Sequence, residues 1–269
     1  LADWSRMVET IHARKGEVKI ALVGKYVKLH DSYLSIVESL NHASFVIGKS
    51  VEIKWVDSDS VTDETADSIF ADCSGIILPG GFGQRGIEGM IASCRYARTH
   101  NVPYFGICLG MQICVIEFAR DILGLTHANS REFDELCEHP VIDLMKDQEG
   151  VIMGGTMRLG SYPCKVKDGT IMAKAYGAEN IEERHRHRYE FNNDYRAQME
   201  EAGLVISGTS PDNKIVETVE LPQNDGGKAG THPFFIGVQF HPEFKSRPNN
   251  AGKLFVEFLQ ASDLQARNP

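Results

Sequence analysis

Apolar residues recur along the first half of the chain in two alternating patterns, short continuous runs and longer stretches with helical spacing. Ile36, Leu40, Ala43 and Ile47, for example, recur at the spacing of a helix with one buried face. The runs predict strands over 18–23, 51–56, 75–78 and 103–107, and the helical spacings predict helices over 36–47, 63–71 and 86–99, with another opening at Met111. Short strands separated by helices indicate βαβ units and a parallel sheet.

The second half follows a different pattern, with many strand-like runs and few long helices. The runs cover 157–167, 181–191, 203–209, 214–221 and 234–240, and a helix over about 250–259 closes the chain. Residues 223–232 are rich in Gly and Asp and predict a mobile surface loop. The predicted fold class is therefore α/β, a mostly parallel sheet flanked by helices with antiparallel strands added in the second half.

The chain of 269 residues suits one large α/β domain or two small ones. Residues 1–17 are polar with Trp4, Met7, Val8 and Ile11 at helical spacing, which predicts a connector helix outside the main core. We expect the main domain to cover 18–262, followed by a tail over 263–269.

The net charge and the cysteine content exclude several classes of function. Lys and Arg total 28 against 37 Asp and Glu, a net charge of −9, which disfavours nucleic acid as a partner. No apolar run reaches the roughly 18 residues of a membrane span, and nothing at the start directs secretion. The six cysteines include no Cys-x-x-Cys pair and no zinc-finger spacing, so we expect reduced thiols, no metal site and a cytoplasmic location.

Gly106-Ile107-Cys108-Leu109-Gly110 carries the sharpest chemical signal. It follows a predicted strand and precedes a predicted helix, which is the nucleophile-elbow pattern with Cys in place of Ser. The turn forces Cys108 into a strained backbone conformation, and the helix N-terminus favours its thiolate. The Leu109 N–H is placed to bind an oxyanion. The alternative interpretation of this segment is a buried Cys in a glycine-bracketed turn. Cys114, on the helix beyond, is interpreted as a core residue.

Two further predicted strands end in segments whose groups could assist a cysteine nucleophile. Pro79-Gly80-Gly81-Phe82-Gly83 follows the strand GIIL and could present backbone N–H groups to an anion, although alone it would be only a flexible loop. Gln239-Phe240-His241-Pro242-Glu243-Phe244 supplies an imidazole to take the thiol proton and a carboxylate to orient it. The three segments together predict a Cys108, His241 and Glu243 triad.

These segments, GICLGMQ, PGGFG and FHPEF, resemble the class I glutamine amidotransferases. GGTMRLG (154–160) and ERHRHRYE (183–190) are similar to one branch of that family, in which the glutaminase domain serves a synthase domain that aminates UTP. The resemblance runs from about Lys19 to Leu259. It implies a flavodoxin-like sheet, a glutamine amidotransferase domain over 18–262, and glutamine hydrolysis at Cys108 with ammonia passed to the synthase domain.

The resemblance also implies a set of glutamine contacts: Gly81, Leu109, Gln112, Glu132 and Arg188, of which Gly81 and Leu109 form the oxyanion hole. These residues make chemical sense, because free glutamine carries both an α-carboxylate and an α-ammonium. An Arg188 fork would clamp the carboxylate, and Glu132 would meet the ammonium. Strand alternation over 184–188 places three Arg on one face and two His on the other. The alternative interpretation of this run is a solvated basic edge strand, to which Arg184 fits best.

The resemblance implies no cofactor and no metal in this domain. ATP, Mg²⁺ and UTP would be used by the synthase domain, which lies outside this chain, and GTP is a candidate allosteric activator. A mobile lid is expected over 143–154. The implied partners are L-glutamine, the synthase domain of the same polypeptide and further copies in a full-length homo-oligomer, with no nucleic acid and no membrane.

Three alternatives stay open at this point. A free-standing Cys hydrolase of γ-glutamyl peptides would need a wider cleft and no partner domain. An amidotransferase subunit serving another synthase is disfavoured by GGTMRLG and RHRHRYE. A non-enzymatic glutamine-binding domain would be favoured by loss of the Cys or the His, and both are present.

Overall fold

A nine-stranded sheet forms the centre of the molecule in the computed structural model, which describes residues 1–144, 157–223 and 231–267. Five neighbouring strands run parallel in the order β2-β1-β3-β4-β12, the strand order of flavodoxin-like folds. Their bounds are β1 Glu17–Gly24, β2 Ser50–Asp57, β3 Gly75–Leu78, β4 Tyr104–Ile107 and β12 Phe235–Val238. The predicted α/β fold class is confirmed.

Four strands of the second half extend this sheet in the order β11-β10-β7-β8, and each pairs with its neighbour antiparallel. They are β7 Arg158–Val166, β8 Asn180–His187, β10 Val205–Thr209 and β11 Val216–Glu220. The last strand, β12, departs from the expected antiparallel addition, because it pairs in parallel with β4. Its residues are buried, as an interior strand with neighbours on both sides requires.

A second sheet of three short strands was not predicted. It contains β5 Ala128–Ser130, β6 His139–Leu144 and β9 Tyr189–Phe191 in the order β5-β6-β9. The predicted strand over 181–191 is therefore wrong as one element, since β8 belongs to the large sheet and β9 to the small one. Arg188 lies at the break between them.

Helices cover both faces of the large sheet, and α1 packs outside them against α2. The helices are α1 Ala2–Ala13, α2 Leu34–Ile47, α3 Asp63–Phe70, α4 Ile87–Thr99, α5 Leu109–Asp121, α6 Ile171–Tyr176, α7 Arg196–Glu201 and α8 Lys253–Arg267. Helix α8 runs eight residues beyond the predicted end at 259, because its buried face continues for another turn to Ser262. Helix α5 begins at Leu109, two residues before the predicted start.

Side chains from alternate positions of the strands pack into two cores, one on each face of the sheet. Ile76 and Leu78 of β3 face the core built with α4 and α5, whereas Ile77 faces the core built with α2 and α8. Each fully buried Leu, Ile or Phe stabilises the fold by about 1.5–3 kcal/mol relative to exposure. The two cores hold the strands in place, and the carboxyl ends of the parallel strands all meet at one edge.

Helix α1 packs beside α2, where Arg14 Nη1 donates to Ser44 Oγ at 3.3 Å, and none of its residues is buried. The division into a connector over 1–17 and a domain over 18–262 stays a prediction. Most of the expected lid over 143–154 and of the expected loop over 223–232 lies outside the described residues.

Candidate active site

Cys108 occupies the turn between β4 and α5 with φ 54° and ψ −100°. A positive φ is uncommon for a residue with a side chain and is costly unless the surroundings hold it. Two glycines make the turn possible. A Cβ on Gly106 would lie 2.5 Å from the Gly110 carbonyl oxygen, and one on Gly110 would lie 2.2 Å from that of Leu78. The predicted strained elbow is confirmed, with its cysteine at the start of a helix.

His241 and Glu243 follow β12, the strand next to β4. Ile107 is in register with Val238, and the Cys108 N–H donates to the Val238 carbonyl at 2.7 Å. The elbow and the segment after β12 therefore leave the sheet side by side. All three predicted triad residues line one cavity of about 360 Å³.

One side-chain contact and one backbone contact hold His241 in place. The imidazole Nδ1 lies 2.7 Å from Glu243 Oε1, and the backbone N–H of His241 donates to the Arg184 carbonyl of β8 at 2.8 Å. Burial by itself lowers the pKa of His241, but the neighbouring Cys108 sulfur and the Glu243 carboxylate outweigh burial and raise that pKa to about 10. The arrangement therefore favours an imidazolium beside the sulfur.

The loop over 79–83 follows β3 and packs against the same groups. A Cβ on Gly80 would lie 3.0 Å from His241 Cε1 and 3.6 Å from Cys108 Cβ. One on Gly81 would lie 3.2 Å from Leu109 Cδ2. Glycine therefore lets this backbone approach the nucleophile and the first residue of α5 closely.

A second, smaller cavity shares Gly81, Phe82 and Cys108 with the first. Five of the residues predicted to contact substrate or to attack it lie along its wall, Gly81, Cys108, Gln112, Glu132 and Arg188. Leu109, the remaining predicted contact, is the residue after the nucleophile. The structure thus brings together residues that are up to 107 positions apart in the chain.

The small sheet positions the two charged residues of this cavity. Glu132 comes just after β5, and its N–H donates to Ser130 Oγ at 3.1 Å. Arg188 lies between β8 and β9. Burial raises the pKa of Glu132, while the Gly83 N–H, the Lys25 ammonium and the Arg188 guanidinium act in the opposite direction. The carboxyl group therefore faces cations inside a half-buried site.

The predicted alternation over 184–188 is confirmed as far as His187, but Arg188 lies beyond the end of the strand and does not share the exposed face of the other two arginines. Arg184 and Arg186 are exposed, and His185 and His187 are buried. The Arg186 guanidinium lies 5.9 Å from the centre of the Phe82 ring, and both residues line the larger cavity. Arg188 is half-buried because it follows the end of β8.

Sequence reasoning missed two polar residues at this edge of the sheet. Gln239 Nε2 lies 3.7 Å from Cys108 Sγ, and its Oε1 accepts from Gln112 Nε2 at 3.2 Å. Lys25 Nζ donates to the Phe82 carbonyl of the glycine loop at 3.3 Å. Both residues directly follow a parallel strand, and that position was the signal that could have found them.

Within the described part of the chain, no cluster of three or more His, Cys, Asp and Glu side chains has the arrangement of a metal site. No helix in the described ranges combines the length and the apolar character needed to cross a bilayer.

Comparison with known proteins gives the family. The model of the class-I glutamine amidotransferases matches residues 28–261. The chain therefore belongs to the class-I glutamine amidotransferases. Within that family it is homologous to the glutaminase domain of CTP synthase, as the following relatives show.

CTP synthase of Staphylococcus aureus strain JH9 is 52% identical over 263 residues, which cover 97% of this chain and 48% of the relative. The enzyme of strain Newman gives the same values. The solved glutaminase domain of Trypanosoma brucei CTP synthase, with bound acivicin, is 37% identical with a TM-score of 0.84 and covers 92% of this chain and 94% of that chain. The chain spans about half the length of the curated relatives it matches. The predicted family and branch are confirmed.

Proposed function

We propose that Cys108 is the nucleophile that hydrolyses L-glutamine in this domain, with His241 and Glu243 completing a Cys-His-Glu triad. One observation carries the proposal. Cys108 and His241 extend from adjacent parallel strands into a shared cavity, and a second cavity beside Cys108 contains an Arg and a Glu. A nucleophile with a buried partner base and a zwitterion-binding pocket is what glutamine hydrolysis requires.

The substrate would bind with its amino-acid end in the smaller cavity. Arg188 would clamp the α-carboxylate, and Glu132 would accept hydrogen bonds from the α-ammonium. Gln112 lies along the same wall, with its amide held by the Tyr189 carbonyl at 3.0 Å. The side-chain amide would then reach Cys108.

Hydrolysis would proceed in two steps through a thioester. The Cys108 thiolate attacks the δ-carbonyl carbon, and the N–H groups of Gly81 and Leu109 stabilise the oxyanion. His241 gives a proton to the amide nitrogen, the C–N bond breaks and ammonia leaves the γ-glutamyl thioester. A water that loses a proton to the now neutral His241 attacks the thioester, and glutamate and the thiolate are released. Loss of one oxyanion donor in such sites lowers the rate by about 10²–10³.

Glu243 would orient the imidazole and stabilise its charged form. Its Oε1 holds Nδ1 at 2.7 Å, so the other ring nitrogen is the one available to the sulfur and the leaving group. Removing Glu243 would leave the base in place, and its loss would therefore slow catalysis less than the loss of His241.

We also propose that the ammonia serves a synthase domain that converts UTP to CTP with ATP and Mg²⁺, with GTP as activator, in a cytoplasmic homo-oligomer. The similarity to CTP synthases supports this proposal, as do the six free cysteines. Helix α1 exposes Trp4 and Val8 and has no buried residue, so it offers a docking surface for that domain. No cofactor is proposed for the glutaminase domain itself.

Glutamate release from glutamine tests the proposal, with Cys108→Ala and Cys114→Ala as a matched pair. Cys114 is buried, and its Sγ donates to the Met111 carbonyl at 3.0 Å, so its removal leaves the site intact. We expect Cys108→Ala to abolish the activity, while Cys114→Ala keeps most of it. Activity that survives Cys108→Ala would refute the proposal.

A γ-glutamyl dipeptide and an added synthase domain complete the assay. We expect slow turnover of glutamine by this chain alone and faster turnover with the synthase domain, because a partner is needed to hold the donor loop in the productive arrangement. Preference for the dipeptide, or a fast rate that the synthase domain leaves unchanged, would favour a free-standing hydrolase. Glutamine binding without any turnover would favour a non-enzymatic domain.

A further inference from the structure

The peptide bond between Phe82 and Gly83 is held from both sides. Its carbonyl accepts from Lys25 Nζ at 3.3 Å, and its N–H donates to Glu132 Oε1 at 3.1 Å. In a planar trans peptide these two groups point in opposite directions. A cation on one side and an anion on the other therefore define the rotation of this peptide plane.

Lys25 reaches the loop from the end of β1, and its residue is only 4% exposed. Its ammonium also donates to the Gly83 carbonyl and lies 5.5 Å from the centre of the Phe133 ring. Burying an ammonium is unfavourable unless hydrogen bonds and charges compensate it. Here the compensation comes from two carbonyls of the glycine loop and from Glu132.

We infer that Lys25 is a positioning residue for the oxyanion loop, because it holds the Phe82–Gly83 peptide so that the preceding Gly81 N–H stays directed at the reaction centre. The inference rests on the proposed function and deepens it. Lys25 itself does not touch the substrate, since its contacts are with the loop carbonyls and the Phe133 ring.

Glu132 links the substrate pocket to the same peptide. One of its oxygens accepts the Gly83 N–H, and a carboxylate has further acceptor sites for the substrate ammonium. An ammonium bound at Glu132 would help to keep this carboxylate ionised and in place. Glutamine binding and the orientation of the oxyanion loop are therefore coupled through one side chain.

The charge state of Lys25 makes the arrangement sensitive to pH. Burial lowers the pKa of Lys25 to about 8, Glu132 and Asp59 oppose that effect, and Arg85 adds to it. The uncharged groups that contact the ammonium are the two loop carbonyls and the Phe133 ring. Above about pH 8 the ammonium loses its charge, its hold on the carbonyls weakens, and kcat falls. His241 keeps its proton to higher pH and does not produce this decline.

Three variants of the full chain test the inference. Lys25→Met removes the charge, Lys25→Arg keeps a charge to much higher pH, and Lys28→Met is the control, an exposed lysine on the same segment. We expect Lys25→Met to lower kcat by about tenfold to a hundredfold, with KM within about threefold, as for a displaced transition-state donor. Lys28→Met should match the wild type.

Two reagents that react with the Cys108 thiol distinguish a displaced oxyanion loop from general disruption of the site. An aldehyde analogue of glutamine forms a tetrahedral adduct that needs the oxyanion hole, whereas chloroacetamide alkylates the thiol without it. Lys25→Met should weaken binding of the aldehyde by about the factor lost in kcat and leave the alkylation rate unchanged. A parallel loss of alkylation would indicate collapse of the site and would overturn the inference.

The pH profile keeps the inference testable if Lys25→Met fails to fold. The wild type should lose kcat above about pH 8, and Lys25→Arg should move that decline to higher pH. If kcat declines at the same pH in the wild type and in Lys25→Arg, or if folded Lys25→Met has unchanged kcat, the positioning role of Lys25 is refuted. The proposed function would not be affected by either result. A wild type without glutaminase activity would instead refute the proposed function.

Discussion

Two buried clusters of the molecule contain a histidine beside a glutamate, and they differ in charge. In the first, His241 lies 2.7 Å from Glu243 next to Cys108, and the pKa of His241 is raised to about 10. In the second, His185 lies 3.6 Å from Glu217, and burial and a nearby guanidinium lower the pKa of His185 to about 2. The same pair of residue types therefore holds an imidazolium in one place and a neutral imidazole in the other.

The charged groups around each histidine explain why the two pKa values differ. Glu217 already pairs with Arg158, whose Nη1 lies 2.7 Å from Oε1, and both side chains are buried. A proton on His185 would add a second cation where one carboxylate is already compensated. Among ion pairs of the described residues, Glu243 pairs with His241 alone, and the adjacent Cys108 sulfur also raises the pKa of that ring. In the proposed function the first cluster transfers protons, whereas the second links strands β7, β8 and β11 through Arg158, His185 and Glu217.

Substitution of each histidine should separate the two roles. We expect His241→Ala to lower kcat for glutamine by about 10³-fold or more, because it removes the acid and base of both steps. Its free energy of unfolding should also fall, by up to about 3–5 kcal/mol, because Glu243 is then buried without its partner, so kcat is the measurement that separates the two histidines. His185→Ala should instead lose about 2–3 kcal/mol of stability and keep kcat within about fivefold. Steady-state kinetics and urea unfolding measure both, and the reverse pattern would exchange the roles of the clusters.

Removing the carboxylate of the second cluster should cost stability rather than catalysis. Glu217→Leu leaves the Arg158 guanidinium buried without its partner, which destabilises proteins by about 3–5 kcal/mol. The double variant with Arg158→Met should recover part of that loss, because no charge is then left unpaired. Glu182→Leu, on the exposed face of β8, is the control and should change the free energy of unfolding by about 0.5 kcal/mol or less. An equal loss in the double variant would contradict the ion-pair explanation.

Titration of the imidazole rings by ¹⁵N NMR should measure the difference in pKa between the two clusters directly. We expect His241 to keep its proton up to about pH 10, because the sulfur and Glu243 favour the charged ring. His185 and His187 should stay neutral well below pH 6.5, since burial and Arg158 lower the pKa of the two rings to about 2 and about 3. Cys108→Ala should lower the pKa of His241 by about one unit or more. A wild-type His241 that titrates near 6.5 would show that the sulfur does not stabilise the imidazolium.

The local pattern of apolar and polar residues was sufficient to predict much of the fold. The parallel strands, the helices between them and the strained elbow were predicted, because each depends on residues close together in the chain. The break at Arg188 was not, since RHRHRYEF alternates as one strand while its two parts pair with different sheets. Pairing with β6 rather than β7 begins at Tyr189, and no local signal encodes which partner strand is available.

The chemical groups and their immediate geometry follow from short stretches of sequence. Gly106 and Gly110 allow the Cys108 turn, and His241-Pro242-Glu243 brings a ring nitrogen and a carboxylate together within three residues. The pairing of β12 in parallel with β4, which carries His241 to the sulfur, arises only in the folded chain. The same holds for the meeting of Lys25 from β1 and Glu132 from the small sheet at one peptide of the glycine loop. Short-range contacts follow from the backbone conformation of a few residues, whereas these long-range ones depend on strand order, which the two buried cores determine collectively.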